Sequence, residues 1–364
     1  MNNNFHLFPL FIRMLVNNSL GGMKMKKITL KFFFMFIFLL VPMNVFAEDQ
    51  LRSFTFDSND SSHPYDMVNS KGEIIKYEDF KNNNLQLINE TPSFQGTGII
   101  SPVQIDSLIF HSKSFIDLTP SPVIIEDNLS KNTNEITPYI VIGEDGRTIV
   151  ENTQIAPFSS ITYIELNWAD GSSGTCTGTL IGRNRVLTNA HCVIDAGTQR
   201  GISSATVYPG VSDSTGWFGS YNVRDYFVPS NWISTGSTSE DFAVLVLNAN
   251  NNRHAGDVAG FLGIRQVNNL LNENVGIFGY PGDLIRAGGV VSQFGMRGNV
   301  TREDTSLAFY TIDTAPGQSG SALLNANNQV VGVHRGSYIV NGNTMNGGPK
   351  MNSNMFNFVS QALQ

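Results

Sequence analysis

Between residues 140 and 364 the apolar residues recur in short runs, at 160–166, 177–181, 185–188, 205–208, 220–227, 243–247, 274–278, 290–294, 308–312, 322–324 and 330–334. Gly, Asn, Ser and Pro fill the gaps. Many short strands at close spacing with turn residues between them predict an all-β barrel or sandwich. One helix is expected, at 353–363, where Met355, Phe358, Val359, Ala362 and Leu363 return at helical spacing and would lay one face on the sheets. Residues 48–139 lack this rhythm. Their short apolar runs at 108–110 and 123–125 are separated by Pro120 and Pro122, and charged pieces such as 76–81 interrupt them. The stretch reads as a pro-segment or a weakly ordered linker, with a small independent domain as the alternative.

The amino terminus changes the picture. Lys24, Lys26 and Lys27 precede an apolar core at 28–41, and Ala47 stands before Glu48 and Asp49. This is the layout of a secretory signal over residues 1–47, with Met23 and Met25 as alternative starts and cleavage after Ala47. The apolar run is short and broken by Thr29 and Lys31, so an exported, extracellular protein without stable membrane association is expected. The net charge of -7 and the lack of a basic cluster beyond the first thirty residues argue against a nucleic-acid partner. In an exported chain the only two cysteines, Cys176 and Cys192, are expected to bond. Their spacing excludes a Cys-x-x-Cys redox pair, and with His191 beside them they make a poor structural zinc set.

Three stretches carry candidate chemistry. Residues 313–322 place Ser319 in a glycine-lined turn after a strand pattern, where an exposed hydroxyl and converging N–H groups suit acyl transfer. His191 follows the run at 185–188 and is held by its neighbour Cys192, as a base must be if it is to reach a nucleophile. Asp241 stands at the mouth of the run at 243–247, where burial on one side would let it fix a histidine tautomer. Glu240 is expected to face solvent.

The order His191, Asp241, Ser319, within Thr188-Asn189-Ala190-His191-Cys192, Asp241-Phe242-Ala243 and Gly317-Gln318-Ser319-Gly320-Ser321, resembles the chymotrypsin-fold serine endopeptidases. It is most similar to the secreted glutamyl endopeptidases of bacilli. The strings at 141–147, 176–181, 279–283, 300–305 and 346–350 extend the resemblance over most of the chain from Val141 to Phe358. It implies two six-stranded antiparallel barrels at 140–364 with a boundary near 250–270, a C-terminal helix, and a propeptide at 48–139. It also implies an endopeptidase that cuts protein and peptide substrates after Glu, less readily after Asp, with an activating protease or self-processing, and a monomer.

By the same resemblance Ser319 is the nucleophile, His191 the base and Asp241 its orienter, and the N–H groups of Gly317 and Ser319 form the oxyanion hole. Thr314 and His334 would meet the substrate carboxylate, helped by the α-amino group of a mature chain starting at or near Ile140. Asp313 lies where trypsin-like enzymes carry the acid that attracts Arg or Lys; the resemblance makes it a side-wall or hydrogen-bonding residue. Gln318 cannot form the trypsin-type activation ion pair. No cofactor is required. Asn167, Asp170 and Asp213 are oxygen donors that would suit structural calcium, although surface turns explain them as well. Arg335 is a residue of the pocket rim or an ordinary exposed arginine. The competing readings are the same fold with trypsin-like or broad selectivity, and an inactive exported homologue that binds proteins through the cleft.

Overall fold

Six strands build the first half: β1 Ile161–Trp168, β2 Ser173–Gly182, β3 Arg185–Thr188, β4 Arg200–Pro209, β5 Tyr221–Pro229 and β6 Ala243–Leu247. In this computed structural model the described residues are 51–364 apart from 52, 53, 55, 82–88, 113, 119 and 126–140, so the expected signal region and Ile140 lie outside them. Antiparallel pairing runs β1–β2–β3–β6–β5–β4, and β4 pairs back to β1, closing the ring. Inward residues Ile164, Leu166, Leu180, Val186, Val207 and Leu245 are fully buried. Each such side chain contributes about 1.5–3 kcal/mol by leaving water.

Seven strands build the second half: β7 Asn274–Gly279, β8 Phe294–Glu303, β9 Leu307–Tyr310, β10 Ala322–Leu324, β11 Val330–Val333, β12 Gly336–Val340 and β13 Asn343–Pro349. Their order is β11–β10–β7–β8–β9–β13–β12. The sheet curls until Gly332 and Lys350 meet in a single bridge. Only glycine allows that approach, because a Cβ at 332 would lie 2.7 Å from Pro349 O. The expected pair of barrels is therefore one closed ring and one half-barrel, a chymotrypsin-like fold. The tail helix α1, Ser353–Ala362, is capped by the Asn352 side chain, which accepts from Met355 N, a cap worth about 1 kcal/mol. Its Met355, Phe358 and Val359 pack in a cluster with Phe242.

Two local expectations shift. The run at 290–294 enters β8 only at Phe294, because Val291 exchanges both backbone bonds with Ser214, through its hydroxyl and its N–H. The β12–β13 hairpin was not anticipated, although Asn341 and Gly342, both at positive φ, form its two-residue turn.

The larger correction concerns the stretch before the barrels. Among its described residues Met67–Asn69 pairs antiparallel with β5, Val103–Gln104 pairs with Thr215–Gly216, and Val123–Ile125 pairs in parallel with β12. Asp66 accepts from the N–H groups of Tyr77, Ser62 and His63 at 2.8, 2.8 and 3.2 Å. Met67, Val68, Phe80 and Phe110 are buried in the same apolar clusters as barrel residues. Its described residues form neither a weak linker nor a separate domain, since they fill the apolar clusters of the barrels.

Candidate active site

Strand register brings the base and its carboxylate together. Thr188, the last residue of β3, pairs with Ala243, the first of β6. His191 lies three residues beyond one strand end and Asp241 two residues before the other, so both emerge at the same mouth. His191 Nδ1 and Asp241 Oδ2 are 2.8 Å apart, and the His191 N–H donates to Asp241 Oδ1 at 3.0 Å. Asn189 Nδ2 donates to the Asp241 carbonyl at 2.6 Å. The Cys176–Cys192 disulfide ties the residue after His191 to β2. The two sulfurs and His191 form the one metal-like group among the described residues. With the sulfurs bonded to each other, no thiolate is left for an ion.

Ser319 is held between the halves. Its carbonyl accepts from Thr177 N at 2.8 Å, Gly317 O accepts from Thr177 Oγ1 at 2.7 Å, and Gly320 N donates to His334 O at 3.0 Å. Gly320 has φ +89°, and a Cβ there would lie 2.1 Å from both Thr177 O and Thr188 Oγ1. Glycine is thus required twice, by backbone conformation and by the closeness of β2 and β3. Gly317, at φ +91°, turns the chain before the serine. Neither Gly317 N–H nor Ser319 N–H is used in a hydrogen bond among the described residues. The Ser319 hydroxyl donates to Arg335 O at 3.3 Å, and buried His191 Nε2 has no partner among the described residues.

Arg335 is not at a rim. It is buried, its Nε lies 3.1 Å from Asp241 Oδ2, and its guanidinium sits over Tyr338, 5.6 Å from the ring centroid. Burial pushes the Asp241 carboxyl up, but His191, Arg335 and the His191 N–H outweigh it and hold the group below the ordinary carboxylate value. Glu240 is buried too, contrary to the sequence expectation, because Asn231 Nδ2 and Ser239 Oγ donate to its Oε2 at 3.1 and 2.9 Å.

The remaining candidates line the turn before Ser319 and the strand after it. Thr314 and His334 are both buried. His334 Nδ1 lies 2.9 Å from the Tyr310 hydroxyl, a contact that sequence reading missed because Tyr310 looked like one more core residue of β9. A buried tyrosine hydroxyl needs a partner, and that was the available signal. Burial, with His191 and Arg335 nearby, lowers the His334 pKa to about 3. Asp313 uses both oxygens on backbone: Oδ1 accepts from Ile142 N at 2.7 Å and Oδ2 from Gly146 N at 2.8 Å. Gln318 is spent in its own turn, its Oε1 accepting from Ala315 N at 3.0 Å. Asp170 accepts from Ser172 N and Oγ, Asn167 donates to Ser204 Oγ, and Asp213 donates through its N–H to Ser292 Oγ.

A serine hydroxyl, an imidazole, a carboxylate and two N–H groups without a partner among the described residues are the groups that acyl transfer needs. The model of the trypsin-like peptidase domain matches residues 176–333. A glutamyl endopeptidase of Bacillus licheniformis is 33% identical over 202 residues, 54% of this chain, and the match spans 60% of that relative's length. One from Staphylococcus epidermidis is 28% identical over 233 residues, 63% of this chain and 76% of that protein. The solved structure of a Glu endopeptidase in complex with MPD aligns at a TM-score of 0.57 and 46% identity, covering 62% of this chain and 99% of the other. With His191, Asp241 and Ser319 all inside the matched residues 176–333, and with 46% identity over 99% of the solved Glu endopeptidase, the chain belongs to the glutamyl endopeptidase family of trypsin-like serine peptidases.

Proposed function

We propose that the chain is the precursor of a secreted serine endopeptidase that cuts after glutamate, less readily after aspartate. Ser319 attacks the scissile carbonyl once its hydroxyl turns from Arg335 O to His191 Nε2. His191 takes the proton and returns it to the leaving amine, while Asp241 holds the imidazole. The N–H groups of Gly317 and Ser319 receive the oxyanion, where loss of one such donor costs about 3 kcal/mol.

The glutamate reading is carried by Asp313. With both oxygens held by Ile142 and Gly146 N–H groups, its charge is committed to the backbone and leaves no free acid to select Lys or Arg. His334 supports it: Tyr310, kept protonated by burial, donates to Nδ1 and leaves Nε2–H for the substrate carboxylate, with the Thr314 hydroxyl as a second donor by the family resemblance. Maturation at or near Ile140 puts the new α-amino group two residues from Ile142, within about 7 Å along the chain of the Asp313 anchor. That group adds positive charge to the pocket near neutral pH.

The test is to incubate the processed protein with a peptide library and read the cleaved residue by mass spectrometry. Cleavage after Lys or Arg refutes the glutamate assignment. Absence of both cleavage and fluorophosphonate labelling of Ser319 refutes the peptidase itself.

A further inference from the structure

The segment before the barrels also reaches the catalytic cleft, at two places. Next to the start of β2, Ser173 N donates to Ser114 O at 2.9 Å and Ile116 N donates to Ser173 O at 2.7 Å. Leu118 then covers Gly174, where a Cβ would lie 2.7 Å from Leu118 Cδ1. Phe115 to Leu118 face Thr175, Pro316 and Gly317 across a small cavity, and so stand against the oxyanion turn. At the other place Val123, Ile124 and Ile125 pair in parallel with Tyr338, Ile339 and Val340 of β12, and Ile125 O accepts from Asn341 N at 3.0 Å. Val123 and Ile125 pack on Phe309, Tyr338 and Val340, whereas Ile124 points out at 51% exposure. Between the two anchors stand Ser319 and His191, 3% and 8% exposed.

The chemistry of the site fixes the direction of a substrate. Its acyl half must place a side chain toward Thr314 and His334, and β12 starts two residues after His334. Its leaving amine must face His191, next to the disulfide and the start of β2. A substrate therefore runs from the β12 side to the β2 side. The segment runs the other way, with Ser114–Leu118 on the β2 side and Val123–Ile125 on the β12 side. A reversed backbone offers its carbonyls with the nitrogen on the pocket side, where His191 cannot protonate it, so the chain binds without being cut. The crossing piece includes Pro120 and Pro122, which lack N–H groups and hold it extended.

Resting on the peptidase reading above, we propose that the anchored pieces Ser114–Leu118 and Pro120–Ile125 act as an inhibitory strap that runs along the cleft opposite to a substrate. The cleft walls at Ser173–Thr175 and β12 are then a binding surface for this segment, which stays bound after a single cut in the connecting residues 126–140. Clearing it requires cleavage elsewhere in the segment.

The test uses the secreted full chain. In wild type, Ser319 labels slowly with a fluorophosphonate; Leu118→Asp and Val123→Asp each speed labelling by tenfold or more, while the outward Ile124→Asp leaves it unchanged. Hydrogen exchange at the Ser173 and Asn341 amides, which donate to the strap, reports seating without any chemistry, and it rises in the two loosened variants. For direction, Pro120→Glu and Pro122→Glu offer a glutamate in the crossing piece, and mass spectrometry shows both intact there after incubation at neutral pH. Cleavage after residue 120 or 122 overturns the reversed direction. Unchanged labelling and exchange in both Asp variants overturn the strap. Exchange that rises as expected while Ser319 never labels confirms the seating and places the failure in the peptidase reading.

Discussion

Replacing Arg335 by Gln removes a buried cation from beside the Asp241 carboxylate. Unit charges 3.1 Å apart attract by about 5 kcal/mol at an effective dielectric constant of about 20. Most of that is offset by the cost of taking the guanidinium out of water. What the pair adds is bias: Arg335 is one of the groups that keep Asp241 ionised against its own burial. Breaking a buried pair from one side costs about 3–5 kcal/mol, and here the lower end applies because His191 still donates twice to Asp241. Without the cation one of the groups that hold the Asp241 carboxyl below its ordinary value is gone, and the acid limb of kcat/KM moves to higher pH. The groups facing the pair are Arg335, His334 and Tyr338, and only the first carries a fixed charge. The assay is the pH profile of the processed enzyme on a Glu peptide, alongside urea unfolding. Arg335→Lys keeps the charge and should return the limb most of the way to wild type. A Gln variant that loses stability with an unmoved acid limb would refute the electrostatic role and leave Arg335 as packing.

Tyr310→Phe removes the partner of His334 Nδ1 and should lower kcat/KM on Glu peptides by about tenfold to a hundredfold, the scale of one buried hydrogen bond. Its Ser319 labelling rate should stay at the wild-type value. Gly320→Ala, with contacts of 2.1 Å and φ +89°, should cost several kcal/mol and abolish secretion of folded protein, read by proteolytic resistance of the culture supernatant. Because the His334 pKa drops from 6.5 to about 3 in the fold, the unfolded chain binds the extra proton between those values. The stability from keeping His334 neutral is complete above pH 6.5 and lost as pH falls toward 3, by about 2 kcal/mol at pH 5. Urea midpoints of wild type and His334→Gln should therefore converge on acidification. Asp313→Asn leaves one of two backbone donors facing an amide and should lower stability by about 1.5–3 kcal/mol, with no cleavage after Lys or Arg in the peptide library.

How much was legible in the sequence depended on whether the information was local. Strands β3, β6 and β10 begin and end where the apolar runs do, because their neighbours are turn residues that cannot continue a strand. His191, Asp241 and Ser319 announced themselves through flanking residues with a steric reason, glycine at 320 above all. The partners of Arg335 and Asp313 did not, since each depends on which of two faces a residue presents and on a segment far away in sequence. Asp313 meets residues 171 and 167 positions before it, and no pattern near Asp313 encodes that. The stretch at 51–125 misled for a related reason. Its apolar residues are too sparse to predict a core, yet Met67, Phe80 and Phe110 are buried by filling one that other strands build.

Asp313 shows why a charge at a given spacing does not by itself set specificity. Seen alone it is an acid six residues before the nucleophile, and a free carboxylate there would repel a glutamate side chain. In the fold it accepts from two N–H groups of the loop at 142–146, and Gly146 leaves the approach open: a Cβ there would crowd Met296 at 3.0 Å. The next residue, Arg147, clasps Asp283 with both terminal nitrogens, at 3.0 and 2.6 Å. Asp283 belongs to the short helix Gly282–Gly288, whose Gly282 N donates to Pro316 O at 2.6 Å. A continuous run of hydrogen bonds thus joins the loop that would follow a new amino terminus to the turn that holds Gly317 and Ser319. A cut ahead of residue 142 leaves the loop held at both ends, at Ile142 and Gly146 by Asp313 and at Arg147 by Asp283. Under the maturation proposed above, the Asp313 carboxylate anchors the loop at 142–146, and with it the new terminus, beside the turn before Ser319.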